Sequence, residues 1–468
     1  MTDPAEHPTA AAAAVRPGRR RSARAALDDG LGRGFWTLFS ASLLANLSDG
    51  IFQIALPLLA VSLTPEPALV AGVTFASRLP WLVFALIAGA LADRFDRRRT
   101  MVLVDAGRVV LLAGLAIAVV TQAATIWLLY LVAFVLGCFE TMFDTAASSM
   151  LPNVVGKDKV VAANSRLNAV ELTMNNFVGP PVGGFLAGIA LATAFGTAAA
   201  GYLGALLCLL ALVGSFRPAR TGPPASIASE IRVGMSYLWH HKMLRTMAFV
   251  VGPMNLGSTA VFAVLVLYVV APGPLGLDGV GFGLLITSLA VGSVIGTIFA
   301  ARFERAFGRA NLFVACIVSL LIGDLVWIVT RDPVLIGIIL ALSSSVGGAF
   351  NVVFGSIRQR IVPNHLLGRV MASFRVISWG ALPLGALLGG VIAQTFGLVA
   401  VFLAGAVIHV ALLPSRLILT DGFMAQVEAH AAANADEGES YAAANAERGA
   451  PAGGPEPAGD PGGDDRAG

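Results

Sequence analysis

The chain has 468 residues, of which 56% are hydrophobic and only 13% are charged, and its mean hydropathy is +0.79. Because soluble domains carry roughly 25% charged residues, this composition excludes a soluble globular protein and indicates a polytopic membrane protein. The net charge is +3, and the basic residues stand in short segments between apolar runs rather than in one patch, which excludes nucleic acid as a partner.

Both ends of the chain are poor in core-forming residues. Residues 1–33 are rich in Ala, Pro and Arg, and residues 421–468 are rich in Ala, Gly, Pro, Glu and Asp. Such segments cannot bury enough apolar surface to offset the loss of chain entropy. We therefore predict a disordered tail at each end.

Between the tails, apolar runs alternate with short charged or Pro/Gly-rich breaks. A helical run of about 20 residues crosses a hydrocarbon core of roughly 30 Å, and a helix satisfies its own backbone in lipid. Twelve spans are predicted, which start near Gly34, Leu69, Thr100, Ile126, Ser165, Thr193, Met243, Val280, Ala310, Val334, Ser373 and Leu398. Nearly all of the 31 Lys and Arg residues fall on one side, so the positive-inside rule predicts that both termini are cytosolic.

The segment 217–242 divides six spans from six. It is longer than the other breaks, and Ile231, Met235 and Leu238 follow a helical spacing that predicts a short amphipathic helix at the cytosolic surface. The two halves, 34–216 and 243–420, also share a weak repeat in which similar residues recur at a constant interval. We predict two related bundles joined by this linker.

A polar stripe runs along the first span. Ser42, Asn46, Asp49 and Gln53 lie on one face of a helix and are predicted to line a cavity. Ionisable groups in the middle of a spanning helix mark cavities, relays or ion pairs. Asp49 is therefore the first candidate for a proton carrier, and the alternative is a permanent ion pair with Arg78 in the second span.

Other spans of the first half carry acids as well. Glu140 and Asp144 share one face of the fourth span, where two ionised groups would repel, so one of them is expected to hold a proton. The fifth span repeats a polar stripe. The candidates for ion coupling are Asp49, Arg78, Glu140, Asp144 and Glu171.

The second half is poorer in charge, with Asp324 and Arg375 as its clear ionisable residues inside spans. We expect the first half to couple ions and the second half to supply mainly shape and apolar surface. The candidates for the substrate cavity are Asn46, Gln53, Asn168, Asn175, Asn255, Asn351 and Trp379.

The break after the second span resembles the signature loop of the major facilitator superfamily, in which Gly, three residues, Asp, Arg, any residue and Gly precede two basic residues. Gly89, Asp93, Arg94, Arg97 and Arg98 match this pattern, while Asp96 replaces the second Gly. Plain anchoring of the loop by arginine is the alternative.

A gating motif is assigned to these five residues together with Asp105 and Arg108 of the third span. We expect Asp105 and Arg108 to lie near the cytosolic rim, within reach of the arginines of the loop. Asp93 is expected to latch onto the start of the eleventh span, near Arg369 and Arg375.

The fifth span contains a second signature. Its Gly-Pro-Pro-Val-Gly-Gly stretch, with Gly179, Pro180, Pro181, Gly183 and Gly184, resembles the core of the helix 5 motif of the superfamily's antiporters. Small residues allow close helix approach and Pro bends the axis, which suits a hinge between moving bundles. Close packing alone is the alternative.

Residues 34–420 therefore resemble a major facilitator superfamily transporter of the exporter branch that includes enterobactin-exporter-like and macrolide-efflux-like proteins. The resemblance implies an all-α membrane protein with twelve transmembrane helices in two six-helix pseudo-symmetric bundles. It also implies a monomer in the plasma membrane with a site between the bundles. One departure is that Ala133 stands where drug–proton antiporters usually carry Arg.

The function implied is export of a small amphiphilic molecule, such as a drug, siderophore or secondary metabolite, by alternating access in exchange for protons. The alternatives are a proton-coupled uptake symporter and a non-transporting sensor or scaffold.

The sequence lacks a phosphate-binding loop, and its three cysteines stand apart, so we expect no enzyme activity, nucleotide, metal or cofactor. A proton gradient is the expected energy source.

Overall fold

The computed structural model describes residues 31–83, 96–212, 227–363 and 366–431. In these ranges the chain is almost entirely helical, and ten helices are long and apolar enough to cross a membrane. The tip of the signature loop, with Gly89, Asp93 and Arg94, lies outside the described residues, as do residues 1–30 and 432–468 of the two predicted tails.

The first half contains seven described α-helices because the fifth predicted span is broken. They are α1 (Gly32–Leu63), α2 (Pro67–Val83), α3 (Arg97–Val120), α4 (Ile126–Val155), α5 (Val160–Thr173), α6 (Gly179–Ile189) and α7 (Leu191–Ala211). A π-helical turn over Met174–Val178 joins α5 to α6. Pro180 and Pro181 have no N–H to donate to the preceding turn, and the wider π turn accommodates that loss.

The linker and the second half follow the same plan. Their described helices are α8 (Ile227–His240), α9 (Lys242–Val269), α10 (Gly279–Ile298), α11 (Ala300–Phe307), α12 (Arg309–Val329), α13 (Pro333–Ile361), α14 (Leu367–Phe396) and α15 (Leu398–Leu412). Helix α8 lies inside the predicted linker, and α11 is a short extension after the eighth span. Each of the twelve predicted spans corresponds to a described helix or, for the fifth, to the α5–α6 pair, which confirms the predicted fold class.

Several helices begin at side chains that cap them. Asp96, Thr125, Asp278 and Asp332 each accept a hydrogen bond from a backbone N–H in the first turn of the following helix, at 2.8 to 3.3 Å. Such caps satisfy amide groups that have no partner within the helix. Asp96, which departs from the signature pattern, thereby defines the start of α3.

The C-terminal tail predicted from residue 421 begins instead with a helical segment, 421–431. Met424 is fully buried in the second-half core. Asp421 accepts a hydrogen bond from Ala310 N at 3.0 Å, and Glu428 pairs with Arg309 at 2.6 Å. The apolar face and these two carboxylates hold the segment against the start of α12, so the prediction of disorder is wrong for this stretch.

Successive spans run in opposite directions. Gly34 at the start of α1 lies beside Val154 near the end of α4 and Leu212 just after α7. We call the face where α1 begins and α15 ends the terminal face, and the other the opposite face.

The halves meet at the opposite face. There Gly184 of α6 touches Gly279 of α10, and Ala68 N donates to Gln394 Oε1 across α2 and α14 at 3.5 Å. The contact reaches the middle of the bundle, where Trp81 and Trp379 pack edge to face with ring centroids 5.2 Å apart.

The hydrophobic core is also continuous between the halves at the opposite face but divided at the terminal face. One cluster fills the first half and continues into the opposite-face ends of α9, α10 and α12 to α15, whereas a separate cluster fills the terminal-face part of the second half. Along α5, Asn164, Asn168 and Glu171 are exposed. The described helices therefore leave a cleft that opens at the terminal face.

Candidate functional site

A cavity of about 280 Å³ lies between the halves near the middle of the helices. Its polar wall comes from α1, α2, α4 and the π turn. Of the predicted residues, Asp49, Gln53, Arg78, Glu140 and Asn175 line it. These side chains come from four separate chain segments. The fold therefore brings together residues that were predicted individually from the sequence.

The other wall is apolar. Phe262, Ala263 and Val266 of α9 and Phe282 of α10 line it, and Phe52 of α1 adds a third ring. A cavity with ionisable groups on one side and aromatic rings on the other fits an amphiphilic molecule better than a purely polar one.

Asp49 has a defined partner, which is Tyr202 of α7. The Tyr202 hydroxyl donates a short hydrogen bond to Asp49 Oδ1, and the tyrosine is only 1% exposed. In the described part of the chain no ion pair joins Asp49 to Arg78 within 4 Å. The structure thus shows Asp49 hydrogen-bonded to a phenol while it also faces the cavity, and the alternative of a permanent pair with Arg78 is not observed.

Behind Tyr202 lies a fully buried ion pair. Arg108 Nη1 is 3.4 Å from Asp105 Oδ1, and both residues are at most 1% exposed. The Arg108 guanidinium also stacks over the rings of Tyr202 and Phe143, at 4.9 and 5.0 Å. Such contacts stabilise a buried cation. The ring of Tyr202 therefore links the Asp105–Arg108 pair to the acid that lines the cavity.

Asp105 and Arg108 lie deeper than the sequence suggested. Helix α3 begins at Arg97, so a rise of 1.5 Å per residue carries Asp105 and Arg108 roughly 12 and 16 Å along the helix. The side chain of Asp105 pairs with Arg108 on its own helix rather than reaching a rim position. The expectation that the two residues lie near the rim is corrected accordingly.

The remaining acids extend from the cavity toward the terminal face. Glu140 lies within electrostatic range of Asp49, Arg78 and Arg108. Asp144 on α4 and Glu171 on α5 are both exposed. Three of the five coupling candidates thus line the cavity, and two lie along its approach.

Two of the residues predicted to line the substrate cavity instead form hydrogen bonds to helix backbones. Asn46 Nδ2 donates to the Ser42 carbonyl of its own helix at 2.8 Å, and Asn255 Nδ2 donates to the Ser378 carbonyl at 2.8 Å, which braces α9 against α14. Neither side chain lines the cavity.

Asn168 and Asn351 are exposed on α5 and α13. Trp379 packs against Trp81 at the junction of the halves, and the Arg375 guanidinium lies 5.3 Å from its ring. None of these three side chains lines the cavity.

The glycines of the fifth span are contact points. A Cβ atom on Gly179 would lie 2.8 Å from the Gly50 carbonyl carbon, and one on Gly184 would lie 2.9 Å from the Gly279 carbonyl carbon. Gly183 is equally tight against Ile51. The motif therefore sits where α6 touches α1 on one side and α10 on the other, directly after the π turn.

Within the signature loop, Arg98 caps another helix. Its Nε donates to the Leu209 carbonyl at 2.9 Å and its Nη2 to the Leu210 carbonyl at 2.7 Å. These carbonyls belong to the last turn of α7, where a cation is favoured by the helix dipole. Arg98 therefore joins α3 to α7 at the terminal face, and Arg97 stands one residue before it in the first turn of α3.

Sequence reasoning missed two partners, Tyr202 and His409. His409 of α15 is fully buried, and its Nδ1 lies 2.7 Å from Oδ2 of Asp324, which the sequence had left without a partner. Each is the one tyrosine or histidine in its otherwise apolar span. That isolation was the available signal, but phenol and imidazole groups also occur in ordinary cores.

The chain is similar in sequence to known bacterial export proteins. The multidrug efflux pump Tap of Mycolicibacterium fortuitum is 28% identical over 379 residues, which cover 78% of this chain and 90% of Tap. The enterobactin exporter EntS of Shigella boydii serotype 4 (strain Sb227) is 23% identical over 276 residues, covering 58% of this chain and 64% of EntS.

Solved structures share the fold. The nucleoside transporter NupG superposes with a TM-score of 0.65 at 16% identity and covers 83% of this chain and 99% of NupG. A bacterial homologue of the iron transporter ferroportin, in an inward-facing state, gives a TM-score of 0.60 at 15% identity, with 81% and 98% covered.

The family model for transmembrane secretion effectors, MFS_3, matches residues 25–450, which is most of the chain. The family and these relatives are transporters rather than enzymes, and ten of the described helices are long and apolar enough to cross a membrane. The chain belongs to the transmembrane secretion effector family of the major facilitator superfamily.

Proposed function

We propose that this transporter exports a small amphiphilic molecule across the plasma membrane by alternating access, in exchange for protons. The observation that supports this most directly is the cavity itself, in which Asp49, Glu140 and Arg78 face the aromatic wall formed by Phe262 and Phe282. One chain supplies both walls, so the proposal needs no second copy.

Export rather than uptake is favoured by the relatives, since Tap is named a multidrug efflux pump and EntS an enterobactin exporter. A drug-like or siderophore-like substrate would place its apolar part against the phenylalanines and its polar groups against α1 and α2. An uptake symporter would have the same cavity, so the two functions are distinguished by the direction in which the substrate moves relative to the protons.

The orientation proposed for the membrane follows the charges. Arg98, Lys242, Arg309 and Arg360 lie at the terminal face, whereas Asp278 and Asp332 cap helices at the opposite face. By the positive-inside rule the terminal face is cytosolic. The cleft then opens to the cytosol, where an exporter takes up its substrate.

The coupling step is a competition at Asp49. In the cytosol-facing state its carboxylate accepts the hydrogen bond from Tyr202 and leaves a negative charge for the substrate. In the outward-facing state a proton from the outside neutralises Asp49, weakens substrate binding and favours release. Alternating exposure of one acid to the two sides thereby links proton entry to substrate exit.

The exchange is tested in everted membrane vesicles, whose lumen corresponds to the outside. The probes are ethidium, tetraphenylphosphonium and enterobactin, and each is measured with an acidified lumen, with an alkaline lumen and without a pH gradient. We expect gradient-driven accumulation of at least one probe by the wild type, and accumulation at the level without a gradient for Asp49→Asn.

The matched control is Asp332→Asn. It makes the same chemical change at a helix cap on the opposite face, where Asn caps as well as Asp. Full coupling in Asp49→Asn would remove that residue from the coupling role. Wild-type transport that ignores the gradient would contradict proton exchange, and accumulation only with an alkaline lumen would favour uptake.

A further inference from the structure

The second half contains a buried ionisable pair that takes no part in the cavity. His409 Nδ1 of α15 lies 2.7 Å from Asp324 Oδ2 of α12, and the side chains are 0% and 7% exposed. The second ring nitrogen, His409 Nε2, is buried and has no hydrogen-bond partner. It faces α9 at Gly257, where even a Cβ atom would lie only 3.5 Å away.

No other ionisable side chain lies beside the pair in the described helices. On α9 the nearest is Tyr268, whose hydroxyl is already donated to the Trp327 carbonyl. On α12 the ionisable residue next along the chain from Asp324 is Cys316, and α13 carries no ionisable residue before Arg358. Arg331 and Asp332 follow α12 at the opposite face. The other charged residues of the packed segments stand toward the terminal face and are Lys242, Arg245, Arg302, Glu304, Arg305, Arg309, Arg369, Arg375 and Arg416.

The number of protons on the pair decides its charge. With one proton, held on Nδ1 and donated to the carboxylate, the imidazole is neutral and the pair carries a net charge of −1. A second proton on Nε2 makes an imidazolium next to a carboxylate, with no net charge. In an apolar interior an uncompensated charge is costly, so the free Nε2 gives the pair a place to exchange one proton without breaking the 2.7 Å bond.

The pair also touches the helix that connects the second half to the cavity. Gly257 follows Asn255, which braces α9 to α14, and Phe262 of the same helix lines the cavity. Pro253 interrupts the backbone ladder of α9 just before this point. A change of charge at His409 would therefore act on the helix that forms the apolar wall.

We propose that Asp324 and His409 form a second proton-binding site, inside the second half, whose proton is taken up and released during the transport cycle. This inference rests on the proposed proton-coupled export and deepens it, because it gives each half its own titratable site.

The test reads the proton directly. The full chain is labelled with ¹⁵N-histidine in lipid nanodiscs, and among its six histidines the His409 signals are those absent in His409→Gln. We expect Nε2 to change from an unprotonated to a protonated chemical shift between about pH 5 and 9. Asp324→Asn removes the carboxylate beside Nδ1 and should change the midpoint of this transition. The matched control Ser319→Ala, buried on the same helix, should leave it unchanged.

A second arm measures gradient-driven ethidium accumulation in proteoliposomes. We expect it to fall in Asp324→Asn and to persist in Ser319→Ala. A His409 spectrum of the wild type that stays constant over this pH range would show that the pair is purely structural and would overturn the proposal. Coupling lost in Asp49→Asn but intact in Asp324→Asn would overturn this inference alone. Wild-type transport that ignores the gradient would overturn the proposed function instead.

Discussion

Tyr202 joins two charged groups of the first half through one side chain. Its hydroxyl donates to Asp49 on the cavity wall, and its ring lies 4.9 Å from the buried guanidinium of Arg108. Because Asp49 sits on α1, Tyr202 on α7 and Arg108 on α3, three helices of the first bundle converge on the acid proposed to carry the proton. A variant that lacks only the Tyr202 hydroxyl loses the hydrogen bond to Asp49 but keeps the ring contact with Arg108, so the two effects can be measured separately.

Tyr202→Phe should keep the fold and alter the pH dependence of transport. The ring and its contact with Arg108 remain, so stability should fall by about 1 kcal/mol, the usual net value of one hydrogen bond. The Asp49 carboxylate loses its hydrogen-bond donor, so the pH profile of transport should change. Gradient-driven accumulation measured across pH checks this, and an unchanged profile would show that the phenol only packs.

The Asp105–Arg108 pair should matter mainly for stability. Arg108→Leu leaves the Asp105 carboxyl without a partner in a fully buried place, which typically costs about 3–5 kcal/mol. We expect a clearly lower midpoint of thermal unfolding in detergent.

The double variant Asp105→Asn/Arg108→Gln removes both charges and should recover part of this loss. Equal midpoints for the single and double variants would contradict the assignment of the cost to the unpaired carboxylate.

The spans were predictable because lipid imposes a length and a composition on every crossing segment. Pro180 and Pro181 predicted a bend in the fifth span, where the structure has a π turn, and Asp49 and Arg78 stood out as ions in apolar runs. A chain that must satisfy its backbone in hydrocarbon has few alternatives, so local composition carries most of the fold.

The partners of these residues were not predictable. Tyr202 is 153 residues from Asp49, and His409 is 85 residues from Asp324. Helix rotation and packing angle decide which side chains meet, and a single sequence does not contain that information. The depth of Arg108 was misjudged for a related reason, since it depended on α3 starting at Arg97.

His241, outside the spans, gives a pH prediction with a definite sign. Burial lowers its pKa below the ordinary 6.5, and its neutral Nδ1 accepts from Leu244 N at the start of α9, at 3.4 Å. The cap should therefore be complete above about pH 6.5 and lost as the pH falls through the lowered pKa, at a cost of about 1 kcal/mol.

In ¹⁵N-histidine spectra the His241 midpoint should lie below that of the denatured chain. His241→Asn keeps a capping side chain and should lose this contribution to the pH dependence of thermal unfolding. A midpoint at or above the denatured value would contradict the prediction.

Gly184 and Gly279 hold the opposite face closed, so a larger side chain there should shift the conformational balance. A Cβ atom on Gly184 already meets the Gly279 carbonyl carbon at 2.9 Å, and Gly184→Val would force α6 and α10 apart. Gly188→Val, one turn further along α6, is the matched control because no atom lies within 4 Å of its Cβ position. The readout is Gln53→Cys with the native cysteines replaced by Ser. We expect faster labelling by an impermeant maleimide from outside intact cells in Gly184→Val only, and equal rates in both variants would show that this glycine contact does not govern closure.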